Sequence, residues 1–328
     1  MNNLHLNPDA LKKDVVMEPI RKGFGKGLLK AGQEDENVVA ACADLTDSTQ
    51  IALFAKEFPH RFIEVGVAEQ NLVTLGSGLA AQGKIPFVSS YAAFSPGRNW
   101  EQIRTTICLN DRPVKIVGSH AGLYTGMDGA THQMLEDIAL MRVLPNMVVI
   151  APCDSIEAEK ATLAMAKDKR PNYVRVAREA TPVITTDKTP FEIGKAYVFE
   201  QGDDITIIST GTMTAQALKA AEMLFKDGID AEVVHVPTVK PLDSHTILES
   251  VRKTRLVITV EEAQINGGLG GAVAELLSEE MPTLIKRLGM RDHFGESGKP
   301  EELLEHFGLT AKHIALAAHE LTTKRDRK

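Results

Sequence analysis

The chain predicts an α/β fold of two parallel-sheet domains, and three observations carry that reading. Short apolar runs alternate with helix-length segments from about residue 18 to the end, the pattern of a parallel sheet covered on both sides. Runs such as Val38-Val39-Ala40-Ala41-Cys42-Ala43 are apolar at every position, as strands buried on both faces are. The alternation stops at Glu179–Glu192, where two prolines and four threonines show no apolar period, and then restarts. That segment reads as a linker between a first domain, 1–184, and a second, 185–328. A length of 328 residues is long for a single core.

Taken in order, residues 1–13 read as a loosely ordered leader and Glu18–Ala31 as the first helix. The strand Val38–Ala43 ends in the polar loop Asp44-Leu45-Thr46-Asp47-Ser48-Thr49. Open α/β sheets bind ligands at such carboxyl ends. Helix 50–57, strand 61–65 and helix 69–82 follow. Leu72, Leu75 and Leu79 share one face of that last helix, and Gly83 is its stop. Gly76 and Gly78 cost helix propensity, which suggests close approach by another backbone. Strand 86–90, helix 98–109 and strand 114–118 lead to a glycine-rich loop ending at Gly129. A helix near 133–142, strand 147–151, helix 155–167 and strand 173–177 complete the first half. After the linker come strand 204–209, helix 212–227, strand 231–236, helix 243–252 and strand 255–260. The turn Asn266-Gly267-Gly268-Leu269-Gly270-Gly271, helix 271–280, strand 283–288 and helices near 300–307 and 310–323 close the chain. Lys324-Arg325-Asp326-Arg327-Lys328 reads as a solvated charge run.

Composition excludes several classes. A net charge of -7 leaves no basic footprint for nucleic acid or an anionic membrane. No apolar run approaches the roughly 18 residues of a membrane span. The start, Met1-Asn2-Asn3-Leu4-His5, lacks a basic-then-apolar signal pattern. Cys42, Cys108 and Cys153 are widely spaced in apolar contexts, against a disulfide framework or zinc cluster. A cytoplasmic location is the expectation.

Three stretches carry candidate chemistry. In Ile63-Glu64-Val65-Gly66-Val67-Ala68-Glu69-Gln70-Asn71, a strand passes through a glycine and delivers Glu69 to a helix start. A carboxylate favoured by the helix dipole is the plain alternative there. Tyr91-Ala92-Ala93-Phe94 sets two aromatics at a strand end. The loop Gly118–Gln133 holds His120, Asp128 and His132, and a loop that long in a compact fold is usually functional. Their gaps of eight and four are not a usual metal spacing. The Gly267–Gly271 turn fails the dinucleotide pattern, since Val273 stands where Gly or Ala is needed. It reads as a packing turn. No Walker sequence, zinc-protease motif or nucleophile elbow occurs.

Gly66-Val67-Ala68-Glu69-Gln70-Asn71, Tyr91-Ala92-Ala93-Phe94 and Asp128-Gly129-Ala130-Thr131-His132-Gln133, in this order and spacing, resemble the C-terminal half of a transketolase. The likeness runs from about Arg21 to the end. It implies a thiamine-diphosphate pyrimidine-binding domain, then a transketolase C-terminal α/β domain that does not supply the main chemistry. It also implies thiamine diphosphate, with Glu69 hydrogen-bonded to an aminopyrimidine nitrogen, Phe94 stacked on that ring, Tyr91 beside it and Asp44 near the thiazolium. By the same likeness Arg21, Ser48, His120 and Arg178 hold a sugar phosphate, as guanidinium forks and neutral donors suit an oxyanion. Asp128 and His132 contact the substrate's hydroxyl and carbonyl end, and His132 joins Glu69 as a catalytic residue.

The family's Gly-Asp-Gly…Asn set for diphosphate and Mg²⁺ is missing; Gly126-Met127-Asp128-Gly129 is a near miss. The resemblance is therefore to a split transketolase, with no metal site in this chain. That resemblance implies an N-terminal subunit that shares the cofactor and carries the Mg²⁺, in a two-plus-two heterotetramer expected to be active only when complete. Larger transketolases carry an aromatic where Gly97 stands. The competing readings are the beta subunit of a 2-oxo acid dehydrogenase decarboxylase component, a deoxyxylulose-phosphate synthase, and a non-catalytic scaffold on the same fold.

Overall fold

The computed structural model describes residues 5–326. Met1–Leu4 and Arg327–Lys328 lie outside the described residues, and with them most of the stretch read for a signal and the end of the charged tail. The first half runs β1 (Met17–Pro19), α1 (Ile20–Glu34), β2 (Val38–Cys42), α2 (Ala52–Glu57), β3 (Phe62–Glu64), α3 (Glu69–Ala81) and β4 (Ile85–Tyr91). It continues with α4 (Trp100–Gln102), which passes into a π-helical segment Ile103–Cys108, then β5 (Lys115–Ser119) and a 3-10 segment Leu123–Asp128. It ends with α5 (Asp137–Arg142), β6 (Val148–Ile150), α6 (Ser155–Lys167), β7 (Asn172–Val176) and β8 (Ala180–Pro182). The second half runs β9 (Tyr197–Glu200), β10 (Ile205–Ser209), α7 (Met213–Lys226), β11 (Ala231–His235), β12 (Thr238–Lys240) and α8 (Ser244–Thr254). Then come β13 (Leu256–Gln264), α9 (Leu269–Glu280), β14 (Leu284–Met290), α10 (Pro300–His306) and α11 (Ala311–Asp326).

Two main sheets result. The first has the order β12-β6-β7-β5-β4-β2-β3, parallel throughout except β12, which lies antiparallel on β6. The second has the order β14-β13-β10-β11-β9, with β9 its antiparallel edge. Parallel register puts strand ends side by side: Cys42 pairs with Glu64 and Ser89, Tyr91 with Ser119, and Ser119 with Val176. Loops leaving β2, β3, β4, β5 and β7 therefore crowd one edge, and that edge carries every candidate site residue except Arg21. On one face α1 packs on α6 so closely that a Cβ on Gly23 would lie 1.8 Å from the Ser155 carbonyl oxygen. Beneath them Phe24, Leu28, Phe54 and Phe87 are fully buried.

Several sequence expectations need correction. Among the described residues the leader is not loose: Asn7 donates from its backbone to Ile184 O (3.0 Å) and from its side chain to Val183 O (2.8 Å). Thr186 and Thr189 both donate to His5 O. The linker is not structureless either, because β8 pairs antiparallel with β1 and Asp154 accepts from the Ile184 and Thr185 amides. Each segment supplies the partners the other's backbone needs, a long-range match invisible to periodicity. The first helix begins at Ile20 because Met17–Pro19 is that paired strand. The helix placed near 133–142 begins only at Asp137, since Gln133 is drawn aside to donate to Gly126 O and Glu296 O. Gly76 faces Val88 and Val114 side chains rather than a backbone, and a Cβ on Gly78 would meet open space. β9 and β12 have no counterpart in the sequence reading; both are short edge strands. The glycine turn is a packing turn: Leu269 and Gly270 amides donate to the buried Glu261 carboxylate (both 2.8 Å), and a Cβ on Gly268 would lie 2.0 Å from it.

Candidate active site

The edge is built from its loops upward. The Glu64 side chain ties the first two together. Its Oε1 accepts from the Asp44 and Gly66 amides (2.7 and 3.0 Å) and its Oε2 from Thr46 Oγ1 (2.9 Å). Gly66 turns the chain at φ 68°, a conformation that favours glycine. Three residues later Glu69 opens α3 with a relative exposure of 4%. Its carboxylate meets Arg98 Nη1 at 3.3 and 3.2 Å. The fully buried Asn99 donates to Glu69 O (2.8 Å) and Ser95 Oγ (3.1 Å), clamping the β4–α4 loop to the start of α3. The Arg98 guanidinium lies over the Phe94 ring, 4.1 Å from its centroid.

An aromatic cluster continues from there. Tyr91 stacks on His120 at 3.7 Å and on Phe94 at 5.8 Å between ring centroids. His132 presents its edge to Phe94 (5.4 Å) and Tyr91 (6.1 Å). Thr125 Oγ1 donates to His120 O, and Ser119 Oγ shares a hydrogen bond with His120 Nδ1. Beyond His120 two cations converge. Arg21 donates to Ser48 O (2.5 Å), and Arg178 donates to Asp128 Oδ1 (2.9 Å) and Thr125 O (3.1 Å). Burial, then the charge of Arg178, lowers the pKa of Arg21, and its buried Nε has no hydrogen-bond partner. Two guanidiniums close enough to oppose each other, one with an unused donor, suit an oxyanion between them.

His120 sits among these charges as a neutral base. Burial first, then Arg21, Arg178 and His132, push its pKa from the usual 6.5 down to about 3. In the unfolded chain it takes a proton near 6.5. Its contribution to stability is thus complete above pH 6.5 and is lost as pH falls from 6.5 towards 3, at about 1.4 kcal/mol per pH unit. Urea unfolding at pH 7, 6 and 5 is expected to show His120→Gln losing less stability on acidification than the native chain. Parallel pH profiles for the two proteins would contradict this.

The structure brings Glu69, Tyr91, Phe94, His120 and His132 into one cluster, with Arg21, Ser48, Asp128 and Arg178 at its cationic end. Asp44 is exposed on the same edge, located by its amide bond to Glu64. Sequence reasoning missed three residues. Glu64 had no motif of its own. Asn99 was indistinguishable from a helix-opening polar residue. Arg98 left a usable signal, a cation four residues after Phe94 at a helix entry.

The second half supports this edge without joining its cluster. Tyr124 N donates to Glu262 Oε2, and Gln264 N donates to Leu135 O. The loop around Glu296 accepts from Gln133. The site loop is thus fastened from both domains.

A parallel-sheet edge of this make, followed by a second α/β unit, is the architecture of two transketolase-family domains in succession. Residues 18–183 match the family model of the transketolase pyrimidine-binding domain, and residues 194–314 that of the transketolase C-terminal domain. The chain belongs to the transketolase family. It is 47% identical to a Methanocaldococcus jannaschii protein assigned as a transketolase C-terminal section, over 93% of this chain and 96% of that one. It is 42% identical to a 6-deoxy-6-sulfo-D-fructose transketolase subunit, SqwH, of Clostridium sp., over 91% of this chain and 93% of that one. Among solved structures it resembles a split gene transketolase described as an inactive beta4 tetramer, with a TM-score of 0.87 and 44% identity over 93% of this chain and 98% of that one.

Proposed function

We propose that this chain is the C-terminal subunit of a split transketolase. It would transfer a two-carbon ketol unit from a ketose phosphate to an aldose phosphate. Its pyrimidine-binding domain is taken as residues 1–184 and its C-terminal domain as 185–328. The observation that carries this is the adjacency of the Glu69–Phe94 pair to the converging Arg21 and Arg178. The first pair suits a flat nitrogenous ring and the second a phosphate. What supports the fit is that a planar, N–H-bearing group, the Arg98 guanidinium, pairs with Glu69 and lies over the Phe94 ring.

Bound thiamine diphosphate supplies a stabilised carbanion and an electron sink. The chain's own residues do the rest. Glu69 holds and exchanges a proton at a pyrimidine ring nitrogen, the work of a positioned carboxyl group in a water-poor site. Phe94 holds the ring face, Tyr91 backs it, and Asp44 faces the thiazolium side. Arg21, Ser48, His120 and Arg178 orient the sugar phosphate, His120 as a neutral donor. Asp128 and His132 orient the hydroxyl and carbonyl end, and His132 moves a proton there. Diphosphate and Mg²⁺ are assigned to an N-terminal partner subunit, in a two-plus-two heterotetramer in the cytoplasm. Among the described residues no helix is long and apolar enough to cross a membrane.

The test is a ketol-transfer assay with thiamine diphosphate and Mg²⁺, with and without a diphosphate-binding subunit. Xylulose 5-phosphate with ribose 5-phosphate, other sugar phosphates and pyruvate serve as substrates. Turnover of a sugar phosphate only in the presence of the partner is expected. Full turnover by the chain alone would refute the split-subunit reading, and a preference for pyruvate would favour the 2-oxo acid decarboxylase reading.

A further inference from the structure

We infer that Arg98 is a built-in stand-in for the cofactor's pyrimidine ring: it closes the ring site of the empty chain and is displaced when thiamine diphosphate enters. The inference rests on the cofactor reading above and adds a gate to it. Arg98 makes the two contacts assigned to the ring. It donates from Nη1 to the Glu69 carboxylate at 3.2 and 3.3 Å and sets its guanidinium carbon over the Phe94 ring, 4.1 Å from the centroid. Guanidinium and aminopyrimidine share planarity, edge donors and a stackable face, so one pair of partners accepts either. They cannot accept both at once.

The pairing has the properties of a removable plug. The Glu69 side chain is 5% exposed, whereas that of Arg98 is 51% exposed, so the cation reaches in from solvent and has somewhere to go. A single nitrogen, Nη1, serves both carboxylate oxygens. This is weaker than the two-pronged fork of a committed arginine–carboxylate pair. The backbone beside it does not move with it, because Asn99 is fully buried and bonded to Glu69 O and Ser95 Oγ. The side chain therefore swings on a fixed pivot. In its absence a buried carboxylate would stand without a partner, which is costly. The plug thus keeps the empty site folded at the expense of some cofactor affinity.

The experiment is a calorimetric titration of thiamine diphosphate with Mg²⁺ into the reconstituted complex. It compares the native full-length chain, Arg98→Ala and Arg98→Lys. A closed plug lowers apparent affinity by the fraction of time the site is open. Arg98→Ala is therefore expected to tighten binding about tenfold, or about 1.4 kcal/mol, and to speed association. Arg98→Lys, which keeps the charge and loses the planar face, is expected to fall between. Melting of the cofactor-free complex should drop for Arg98→Ala, and the rise on adding cofactor should grow. Binding that is unchanged or weaker in Arg98→Ala would overturn the plug while leaving the cofactor reading intact. Failure of all three proteins to bind would overturn both.

Discussion

Glu69→Ala is expected to lower kcat for ketol transfer by the reconstituted complex about 10²–10⁴-fold, the range removed with a positioned acid–base group, while the complex stays folded. Glu69 stands at the first position of α3, almost fully buried, with its carboxylate aimed at the space that Phe94 covers. Two readings of that carboxylate differ sharply in consequence. A helix-dipole partner contributes about 0.3–1 kcal/mol to stability and nothing to turnover. A proton-managing group does the reverse. Truncation frees Arg98, which is half exposed and can be solvated, so the melting temperature should move little. Steady-state rates with xylulose 5-phosphate and ribose 5-phosphate, alongside a thermal melt by circular dichroism, separate the two. Activity within fivefold of native would remove Glu69 from the chemistry and favour the scaffold reading.

Arg175→Met carries the largest expected effect on stability. Arg175 lies on β7, 6% exposed, with Nε 3.1 Å from Asp137 Oδ2 on fully buried Asp137. Tyr173 donates to the same oxygen at 2.7 Å. Across the domain boundary Glu262 is also buried and accepts from Tyr124 N. Burial opposes the Arg175 charge, but Asp137, Glu262 and Glu261 outweigh it, and the guanidinium pKa is raised. Burial pushes the Glu262 carboxyl up to about 6, with Arg175 the main opposing influence. Removing the cation leaves acids on both sides of the boundary uncompensated, a loss of about 3–5 kcal/mol for a broken buried pair. Urea unfolding should show this loss, and Arg175→Met combined with Glu262→Gln should recover part of it. A loss under about 1 kcal/mol would mean that the pair stabilises neither the fold nor the boundary. Gly122, whose Cβ position would meet both Glu262 and Arg175, lies in the loop of His120 and His132. The same variant should therefore raise KM for the sugar phosphate.

The motif residues were legible because each motif is local. A strand end, a glycine at positive φ and a helix start within a few residues are enough to announce Glu69, and Tyr91 and Phe94 share a single turn. What failed to show were partners supplied from far away in the chain. Arg98 reaches back 29 residues to Glu69, and Gln133 reaches 163 residues ahead to Glu296. The Glu157–His235 hydrogen bond, between two buried side chains, joins the two domains across 78 residues. Nothing in the apolar period of any of these segments encodes its partner.

By itself the sequence determined the α/β alternation, the polar strand ends and the residue types of the candidate site, since these follow from period, propensity and short motifs. Tertiary structure alone decided that β12 leaves the second half to edge the first sheet, that leader and linker satisfy each other's backbones, and that Arg98 fills the space between Glu69 and Phe94. The physical reason is the same in each case. Hydrogen-bond satisfaction and charge pairing act through space at about 3 Å, and only the folded chain sets which distant groups come that close.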